Sequence, residues 1–352
     1  MTARRNTSHA RLLALAIVLA VLAAASSGAA GSPVSRATAS TGVPGLDMMS
    51  AFADGAADRG RKAPVTPSGN FLLRKGAFTP LEGLRGAVRT TYTGTNNRGG
   101  VVGMYTDDAG ALRGFRRDRK GRFTTIDPPG SLATFVTGIN DHGEVVGYYG
   151  LAGGKSQSFL RDRSGDITTV EIPGAVTTAP FDINNRGQIV GLYGDTEPDA
   201  SGSVPPNSIH GFVWSRGSVR KIDVPGAIGS AAFDVNDRGE VVGIYADPKE
   251  GDPKGTTHGF RLRKGAFTTI DPPGAVDIDG TPGFQATAPL GINNRGQVVG
   301  QYADAQGLHA YLLDKGRYTT IDPPAGPGTT ATDINDRGQI VIPEPRGFFI
   351  GR

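Results

Sequence analysis

Three histidines occupy related positions in the chain and could together hold a metal ion. His210, His258 and His309 each precede a Gly or Ala and then an aromatic residue. Three imidazoles with an open fourth position are typical of a catalytic zinc site. The stretch Phe260-Arg261-Leu262-Arg263 alternates apolar and charged residues, however, which indicates a half-exposed strand. We therefore predict that these histidines are hydrogen-bonding residues at the rim of the fold, without a bound metal.

Six acidic residues recur at the ends of predicted strands and could supply the carboxylates of a glycosidase. They are Glu82, Asp127, Glu171, Asp223, Asp271 and Asp322. A glycosidase needs two carboxyl groups in different environments, and six equivalent acids do not provide that asymmetry. Carboxylates that accept hydrogen bonds from turn amides explain the same pattern, so we predict a structural role.

The segment Asp182-x-Asn184-Asn185-Arg186-Gly187 has a faint likeness to a calcium loop. Such a loop places oxygen ligands at its first, third and fifth positions. Here the fifth position is Arg186, which is a poor neighbour for a cation. The segment is therefore predicted to be a turn stabilised by its Asn and Asp side chains.

Other sequence signatures of catalysis are missing. The chain contains no phosphate-binding loop, no His-Glu-x-x-His and no serine nucleophile elbow. It also contains no cysteine, which excludes disulfides, thiolate metal sites and a cysteine nucleophile. The sequence predicts no catalytic residue and no cofactor, and it leaves open whether the protein is an enzyme.

These candidate residues belong to a repeated unit. Six copies of an Asn-Asn-Arg-Gly-like turn begin at Asn96, Asn140, Asn184, Asn236, Asn293 and Asn335. Each turn is followed by an apolar run such as Val145-Val146-Gly147-Tyr148-Tyr149. Four strand-like pieces, rich in β-branched and aromatic residues and bounded by Gly, Pro, Asn and Asp, recur with the turns.

Four short strands per repeat of roughly 44 residues are typical of a β-propeller blade. We predict an all-β fold over residues 71–352, namely a six-bladed propeller of four-stranded antiparallel blades. An open β-solenoid is the alternative. The Gly-Phe-x-Leu-like strand motif, as in Gly259-Phe260-Arg261-Leu262, has a seventh copy at Gly347-Phe348-Phe349-Ile350, so the two chain ends are expected to share one blade. Residues 331–350 would supply three of its strands and Ala77–Glu82 the fourth.

The amino-terminal residues predict export. Residues 1–30 combine a basic start, a fourteen-residue apolar run from Leu12 to Ala25 and small residues near Ala30, as in a signal peptide. Residues 31–70 are predicted to be a flexible Ala-, Gly-, Ser- and Pro-rich spacer. The formal net charge is +4, and about +1 remains without the leader. This charge gives no case for nucleic acid, and no membrane contact is expected after cleavage.

Loop length distinguishes one face of the predicted propeller from the other. Two connections from a Val-Val-Gly-x-Tyr-like strand to the next Gly-Phe-x-Leu-like strand are long, at Gly194–Gly211 and Ala246–Gly259. A third insertion follows Asp271. All three lie on one face because strand direction alternates in an antiparallel blade. Variable loops on a rigid scaffold are common binding sites. The predicted ligand-binding residues are His210, His258, His309, Asp195, Asp247, Asp277 and Asp279.

The repeats resemble a known family. The His-Gly-Phe and His-Ala-Tyr starts at His210, His258 and His309, with Ile-Asn-x-x-Gly-x-Val-Val-Gly, are similar to the HAF-repeat family of probable extracellular repeat proteins. The histidine is replaced in other copies by Arg113, Gln157 and Arg346. The resemblance covers residues 71–352 and implies export and repeats, without an activity.

The sequence therefore favours a secreted, monomeric β-propeller that binds an extracellular glycan, protein or cell-wall component. One alternative is a hydrolase or lyase that acts on polysaccharide. Another is a structural surface protein without a specific ligand.

Overall fold

The described part of the chain is built entirely from β-strands. The computed structural model describes residues 69–152, 155–197, 205–249, 252–276, 287–322 and 329–343, which form twenty-four strands. Helices are absent from these residues, and with them any helix able to cross a membrane. The predicted leader (1–30) and most of the predicted spacer (31–70) lie outside the described residues.

The strands form six four-stranded antiparallel sheets, so the predicted six-bladed propeller is confirmed. Blade 1 contains β3 (Arg89–Thr95), β4 (Val101–Thr106), β5 (Leu112–Arg117) and β6 (Phe123–Ile126). Blade 2 contains β7 (Ala133–Ile139), β8 (Val145–Gly150), β9 (Ser156–Arg161) and β10 (Ile167–Thr169). Blade 3 contains β11 (Thr177–Ile183), β12 (Ile189–Gly194), β13 (Ile209–Ser215) and β14 (Ser218–Ile222). Blade 4 contains β15 (Gly229–Val235), β16 (Val241–Lys249), β17 (Asp252–Arg263) and β18 (Ala266–Ile270). Blade 5 contains β19 (Thr287–Ile292), β20 (Val298–Asp304), β21 (Gly307–Asp314) and β22 (Arg317–Ile321).

The sixth blade, here called the closing blade, joins the two ends of the described chain. It consists of β23 (Asp333–Ile334), β24 (Gln339–Ile342), β1 (Phe71–Arg74) and β2 (Ala77–Pro80). The first strands of neighbouring blades contact one another around the whole ring, with β23 against β3. A closed ring of this kind leaves no long unpaired sheet edge.

The division of the closing blade differs from the sequence prediction. Its third strand is β1, which pairs with β24 from Phe71↔Ile342 to Arg74↔Gln339. Each chain end therefore supplies two strands, and the prediction of three strands from residues 331–350 was wrong. The physical reason is local: Phe71-Leu72-Leu73 is apolar, and the Lys75-Gly76 turn has the positive φ of a tight hairpin. Residues 347–350 lie outside the described part of the chain.

Aromatic side chains from the third strands fill the space between blades. Phe115, Phe159, Phe212, Phe260 and Tyr311 are all fully buried. Each pairs with a glycine of the second strand, as Phe212 does with Gly191. A Cβ at Gly191 would lie 2.8 Å from the Phe212 ring and 2.1 Å from the Ala179 carbonyl oxygen. Glycine is therefore required there so that the ring can lie against the sheet.

The propeller has two faces with different connections. The hairpin face carries the turns between first and second strands and between third and fourth strands. The long-loop face carries the connections between second and third strands and between blades. One connection expected to be a long loop, Ala246–Gly259, is instead largely strand. β16 and β17 stay paired as far as Lys249↔Asp252 and form an extended hairpin on the long-loop face.

Candidate binding faces of the propeller

The hairpin face is organised by the first Asn of each repeat. In blade 1 the Asn96 side-chain oxygen accepts hydrogen bonds from the backbone N–H of Arg98 (3.0 Å) and Gly100 (2.8 Å). Gly99 takes a φ of 79°, which the tight turn requires. The Asn96 Nδ2 donates to the Asn140 carbonyl of the next blade at 2.9 Å.

The same inter-blade bond recurs at every blade junction. The donors are Asn140, Asn184, Asn236, Asn293 and Asn335, and the last of these donates to the Asn96 carbonyl at 3.0 Å. Six amides therefore link the hairpins into a closed ring. The turn predicted for Asp182–Gly187 accounts for the hydrogen bonds that the Asn184 side-chain oxygen accepts. It does not account for the Asn184 Nδ2, which donates to the neighbouring blade.

A second ring is formed by the next residue of each hairpin. Going round the propeller this residue is alternately Asn and Asp: Asn97, Asp141, Asn185, Asp237, Asn294 and Asp336. Each backbone N–H donates to the side-chain Oδ1 of the following member, at 2.6–2.8 Å. We call these six residues the Asn/Asp ring.

The alternation satisfies the side chains as well. Asn185 donates through its Nδ2 to the Oδ2 atoms of both neighbours, Asp141 (3.1 Å) and Asp237 (3.0 Å). Asn97 and Asn294 do the same with their own neighbours. Every amide donor has an acceptor and every carboxylate Oδ2 accepts two bonds. Perfect alternation requires an even number of blades. The strict alternation of Asn and Asp at this position is visible in the sequence, but the sequence analysis did not use it.

Three further carboxylates lie directly inside the Asn/Asp ring. Asp234 is buried, and Asp182 and Asp333 are partly buried. Asp333 accepts hydrogen bonds from its neighbour Ile334 and from Thr95 of blade 1, both at 2.6 Å. Asp234 joins Val235 to Ile292 of blade 5 in the same way. These side chains therefore connect adjacent first strands.

A β-bulge precedes two of these positions, Asp182 and Asp234. In blades 1 to 5 the first strand shifts register by one residue, as between Pro180 and Asp182. Such a bulge bends the strand and redirects the next side chain. The other three blades carry glycine at the equivalent site, and a Cβ at Gly138 would lie 2.1 Å from Asp182 Oδ1. Asp182 therefore occupies space that Gly138 leaves free.

Burial raises the pKa of all three carboxyl groups. For Asp333, burial and the nearby Asp234 raise the pKa to about 8, against the opposing effect of its two amide donors. For Asp182, burial, the Asp234 charge and a hydrogen bond to that carboxylate all raise the pKa. The raised pKa favours the protonated form of Asp182, and protonation reduces the negative charge near the axis.

The space at this end of the axis is too small for a substrate. Its volume is about 60 Å³, and residues of all six blades line it. Small-molecule sites usually measure about 300–1,000 Å³. No group of three or more His, Asp or Glu side chains with metal-binding geometry occurs in the part of the chain that the structure describes.

On the long-loop face, the three predicted histidines each bind acids of their own blade. His210 is buried, with Nδ1 3.0 Å from Asp223 and Nε2 3.1 Å from Asp195. Its ring lies 5.0 Å from that of Tyr193. The two carboxylates fix the imidazole from opposite sides, so His210 joins the strand end to the adjoining loop.

His309 repeats this arrangement, whereas His258 has one acidic partner among the described residues. His309 lies 3.2 Å from Asp322 and 3.0 Å from Asp304. His258 Nδ1 lies 2.7 Å from Asp271. The structure therefore does not bring the three histidines together. The strand-end acids Asp223, Asp271 and Asp322 bind imidazoles rather than the turn amides expected from sequence.

Blades 1 and 2 use other residues at the histidine position. Arg113 forms ion pairs with Asp107 and Asp127. Gln157 accepts a hydrogen bond from the Tyr149 hydroxyl at 2.6 Å and donates to Thr169. In all five blades this position connects the second, third and fourth strands at the rim.

The predicted acidic residues are distributed over the long-loop face. Asp195 is exposed beside His210, and burial is outweighed by hydrogen bonds from Thr196 and His210, which lower its pKa. Asp247 is exposed on the extended β16–β17 hairpin. Asp277 and Asp279 lie outside the described residues.

A larger cleft, which sequence analysis did not predict, separates blade 5 from the closing blade. Its volume is about 460 Å³. Leu73, Phe78, Leu312 and Ile340 form apolar walls. Phe71, the closing-blade counterpart of the fully buried third-strand aromatics, is only partly buried. This junction is therefore less completely filled than a closely packed core.

Comparison with known proteins identifies no family for this chain. Neither protein-family models nor curated protein sequences give a match. Similar solved structures include the β-propeller domain of the Trilobed protease from Pyrococcus furiosus, with 13% identity, a TM-score of 0.46 and coverage of 76% of this chain and 77% of that chain. TolB from Acinetobacter baumannii matches at 12% identity with a TM-score of 0.43, covering 72% of this chain and 54% of TolB. The fucose-specific lectin from Aleuria aurantia matches at 13% identity with a TM-score of 0.41, covering 74% and 97%. The chain thus spans about half the length of TolB, and at these identities the likeness concerns the propeller fold alone.

Proposed function

We propose that the protein is an exported binding module whose long-loop face recognises an extracellular glycan, protein or cell-wall component. The supporting observation is that the long connections fall on one sector of the ring. They are residues 195–208 of blade 3, the β16–β17 hairpin of blade 4 and residues 271–286 between blades 4 and 5. Neighbouring insertions on a rigid scaffold are a common way to build a binding surface.

The chemistry of this sector suits polar recognition. Asp195, Glu197 and Asp247 are exposed there. Asp195 is oriented by His210, which limits the conformational entropy lost on binding. The leader-like residues 1–30 and the HAF-repeat resemblance support an extracellular setting. A hydrolase or lyase has less support, since four of the six strand-end acids, Asp127, Asp223, Asp271 and Asp322, are engaged with His or Arg side chains.

The β16–β17 hairpin offers a direct test. Asp247 pairs with Thr256, so Pro248–Gly255 can be replaced by a two-residue Asn-Gly turn without changing the register. We expect the shortened variant to lose at least tenfold in binding on a glycan array or to an extracellular protein extract, with an unchanged melting temperature. A matched control replaces Asp107–Ala111 of blade 1 with a turn of the same kind.

Loss of binding only in the blade 4 variant would support the proposal. Equal retention of binding by both variants would refute it, as would equal loss in both.

A further inference from the structure

The two faces of the propeller carry opposite charge. In the described connections, the hairpin face has thirteen basic residues against eight acidic ones. The basic residues are Lys75, Arg98, Arg119, Lys120, Arg122, Arg163, Arg186, Arg216, Arg238, Lys264, Arg295, Lys315 and Arg337. The long-loop face has two basic residues, Arg85 and Lys155, against ten acidic ones. The formal net charge of +4 therefore does not reveal that basic residues are concentrated on the hairpin face.

The acids of the hairpin face are engaged by other residues. Asp141, Asp237 and Asp336 each accept three hydrogen bonds within the Asn/Asp ring. Glu240 is buried and pairs with Arg261 at 2.6 Å and Arg263 at 3.0 Å. Asp118 pairs with Arg122 at 2.8 Å. Little exposed negative charge is left to neutralise the surrounding cations.

The hairpin arginines, in contrast, are free. Arg98, Arg186, Arg238, Arg295 and Arg337 are exposed, and their side chains make no ion pair or hydrogen bond with another described residue. Their backbones are fixed, because each N–H donates at 3.0 Å to the first Asn of its hairpin. The Asn/Asp ring therefore holds five guanidinium groups, with His142 in the sixth place, around the axis.

The cleft beside the closing blade opens among these cations. Arg295, Arg337 and Lys75 contribute to its lining, together with the apolar walls described above. Asp322 also contributes to the lining, and its carboxylate is bound to His309 at 3.2 Å. A cleft of about 460 Å³ is of the size that holds a small ligand or a short segment of a polymer.

We propose that the hairpin face binds an acidic polysaccharide and that the cleft between blade 5 and the closing blade is its anchoring site. Guanidinium groups pair with carboxylate or sulfate in a bidentate geometry. The apolar walls would take the C–H faces of one sugar residue, and the other hairpin arginines would hold neighbouring acidic groups. The cleft extends to Asp322 at the long-loop end of β22, but this proposal does not depend on the function of the long-loop face.

Other polyanions fit this face less well. Single-stranded nucleic acid binds by stacking bases on aromatic side chains, and the described hairpin-face turns contain no Phe, Tyr or Trp. Duplex DNA is read by a helix or ribbon that enters a groove, and these short turns do not project one. An anionic membrane would meet no apolar side chain at the apex of the turns.

The test measures binding of the purified protein to immobilised polygalacturonate at several salt concentrations. The anchoring-site variant is Lys75→Gln, Arg295→Gln and Arg337→Gln. The matched control, Arg85→Gln, Lys155→Gln and Arg220→Gln, removes the same charge from exposed sites outside the hairpin-face turns. We expect the first variant to weaken binding at least tenfold and to flatten the salt dependence, and the control to change binding less than twofold.

Equal losses in the two variants would show that net charge alone attracts the polymer, and would overturn the proposal. Absence of binding by the unsubstituted protein at low salt would also overturn it. Tighter binding to duplex DNA or to phosphatidylglycerol vesicles at the same salt concentration would refute the assignment to polysaccharide. Melting curves of both variants that match the unsubstituted protein establish that a loss of binding is not a loss of folding.

Discussion

The two faces of this propeller are made from the same repeat and are stabilised differently. On the hairpin face, each residue of the Asn/Asp ring bonds to the blades on either side. On the long-loop face, His210 and its counterparts bond within their own blade. The hairpin face is therefore a cooperative ring, whereas the rim of the long-loop face is a set of independent sites. This difference leaves loops on one face free to vary in length.

Deleting residues 69–82 should have the largest effect, because it removes half of the closing blade. Leu73 and Leu81 are buried, and Phe71 and Phe78 pack against the same core. Losing these side chains should cost about 4 kcal/mol or more, at ~1.5–3 kcal/mol for each large apolar group. Circular dichroism should show a protein that is unfolded or melts far below the parent. Deletion of 344–352 is the control, since it removes none of the described strands. A larger effect of that deletion would contradict a closing blade to which each chain end supplies two strands.

Asn185→Asp should destabilise the hairpin face by about 2–4 kcal/mol. The substitution removes two amide donors and places three carboxylates side by side, at positions 141, 185 and 237. Arg186→Gln, one residue further on, is the control and should leave the free energy of unfolding unchanged. A denaturant titration in which the two variants are equally stable would show that the ring bonds contribute little.

Raising the pH should also destabilise the hairpin face. Asp182, Asp234 and Asp333 have pKa values raised by burial, and that of Asp333 is about 8. The folded state therefore binds more protons than the unfolded state between about pH 4 and pH 8. The stabilisation that comes from these raised pKa values is complete below about pH 4 and is lost as the pH rises through about 8. We expect the melting temperature to fall by several degrees from pH 6 to pH 9, and Asp333→Asn to flatten that slope. A melting temperature that rises over this range would contradict the assignment.

The smallest effects should come from the histidines of the long-loop face. His210→Ala removes a buried ring with two acidic partners and should cost about 1–2 kcal/mol, while the more exposed His258 should cost about half of that. Zinc should not raise the melting temperature, because each histidine binds acids of its own blade. A zinc-dependent rise that disappears in His258→Ala would show that the histidines act together.

The sequence predicted the fold from its periodicity, because turn chemistry and strand patterning are local and recur in every repeat. It predicted that the two chain ends share one blade, which is confirmed, but not that each end supplies two strands. Phe71–Arg74 and Gly347–Ile350 both match the third-strand motif, and only the pairing with β24 distinguishes them. It also did not predict the buried acids near the axis. Asp182, Asp234 and Asp333 come together only when blades far apart in sequence meet at the centre. The separation of basic residues on the hairpin face from acidic residues on the long-loop face was also missed. Net charge does not tell which face of the fold a turn occupies.

The central claim is that alternation of Asn and Asp, rather than any one of these residues, holds the hairpin face together. A variant that inverts the whole ring tests it: Asn97→Asp, Asp141→Asn, Asn185→Asp, Asp237→Asn, Asn294→Asp and Asp336→Asn. This variant has the same number of carboxylates, and each amide again lies between two carboxylates. We expect its free energy of unfolding in a denaturant titration to lie within about 1 kcal/mol of the unsubstituted protein, well above that of Asn185→Asp alone. An inverted ring that is as unstable as Asn185→Asp, or less stable, would contradict the account.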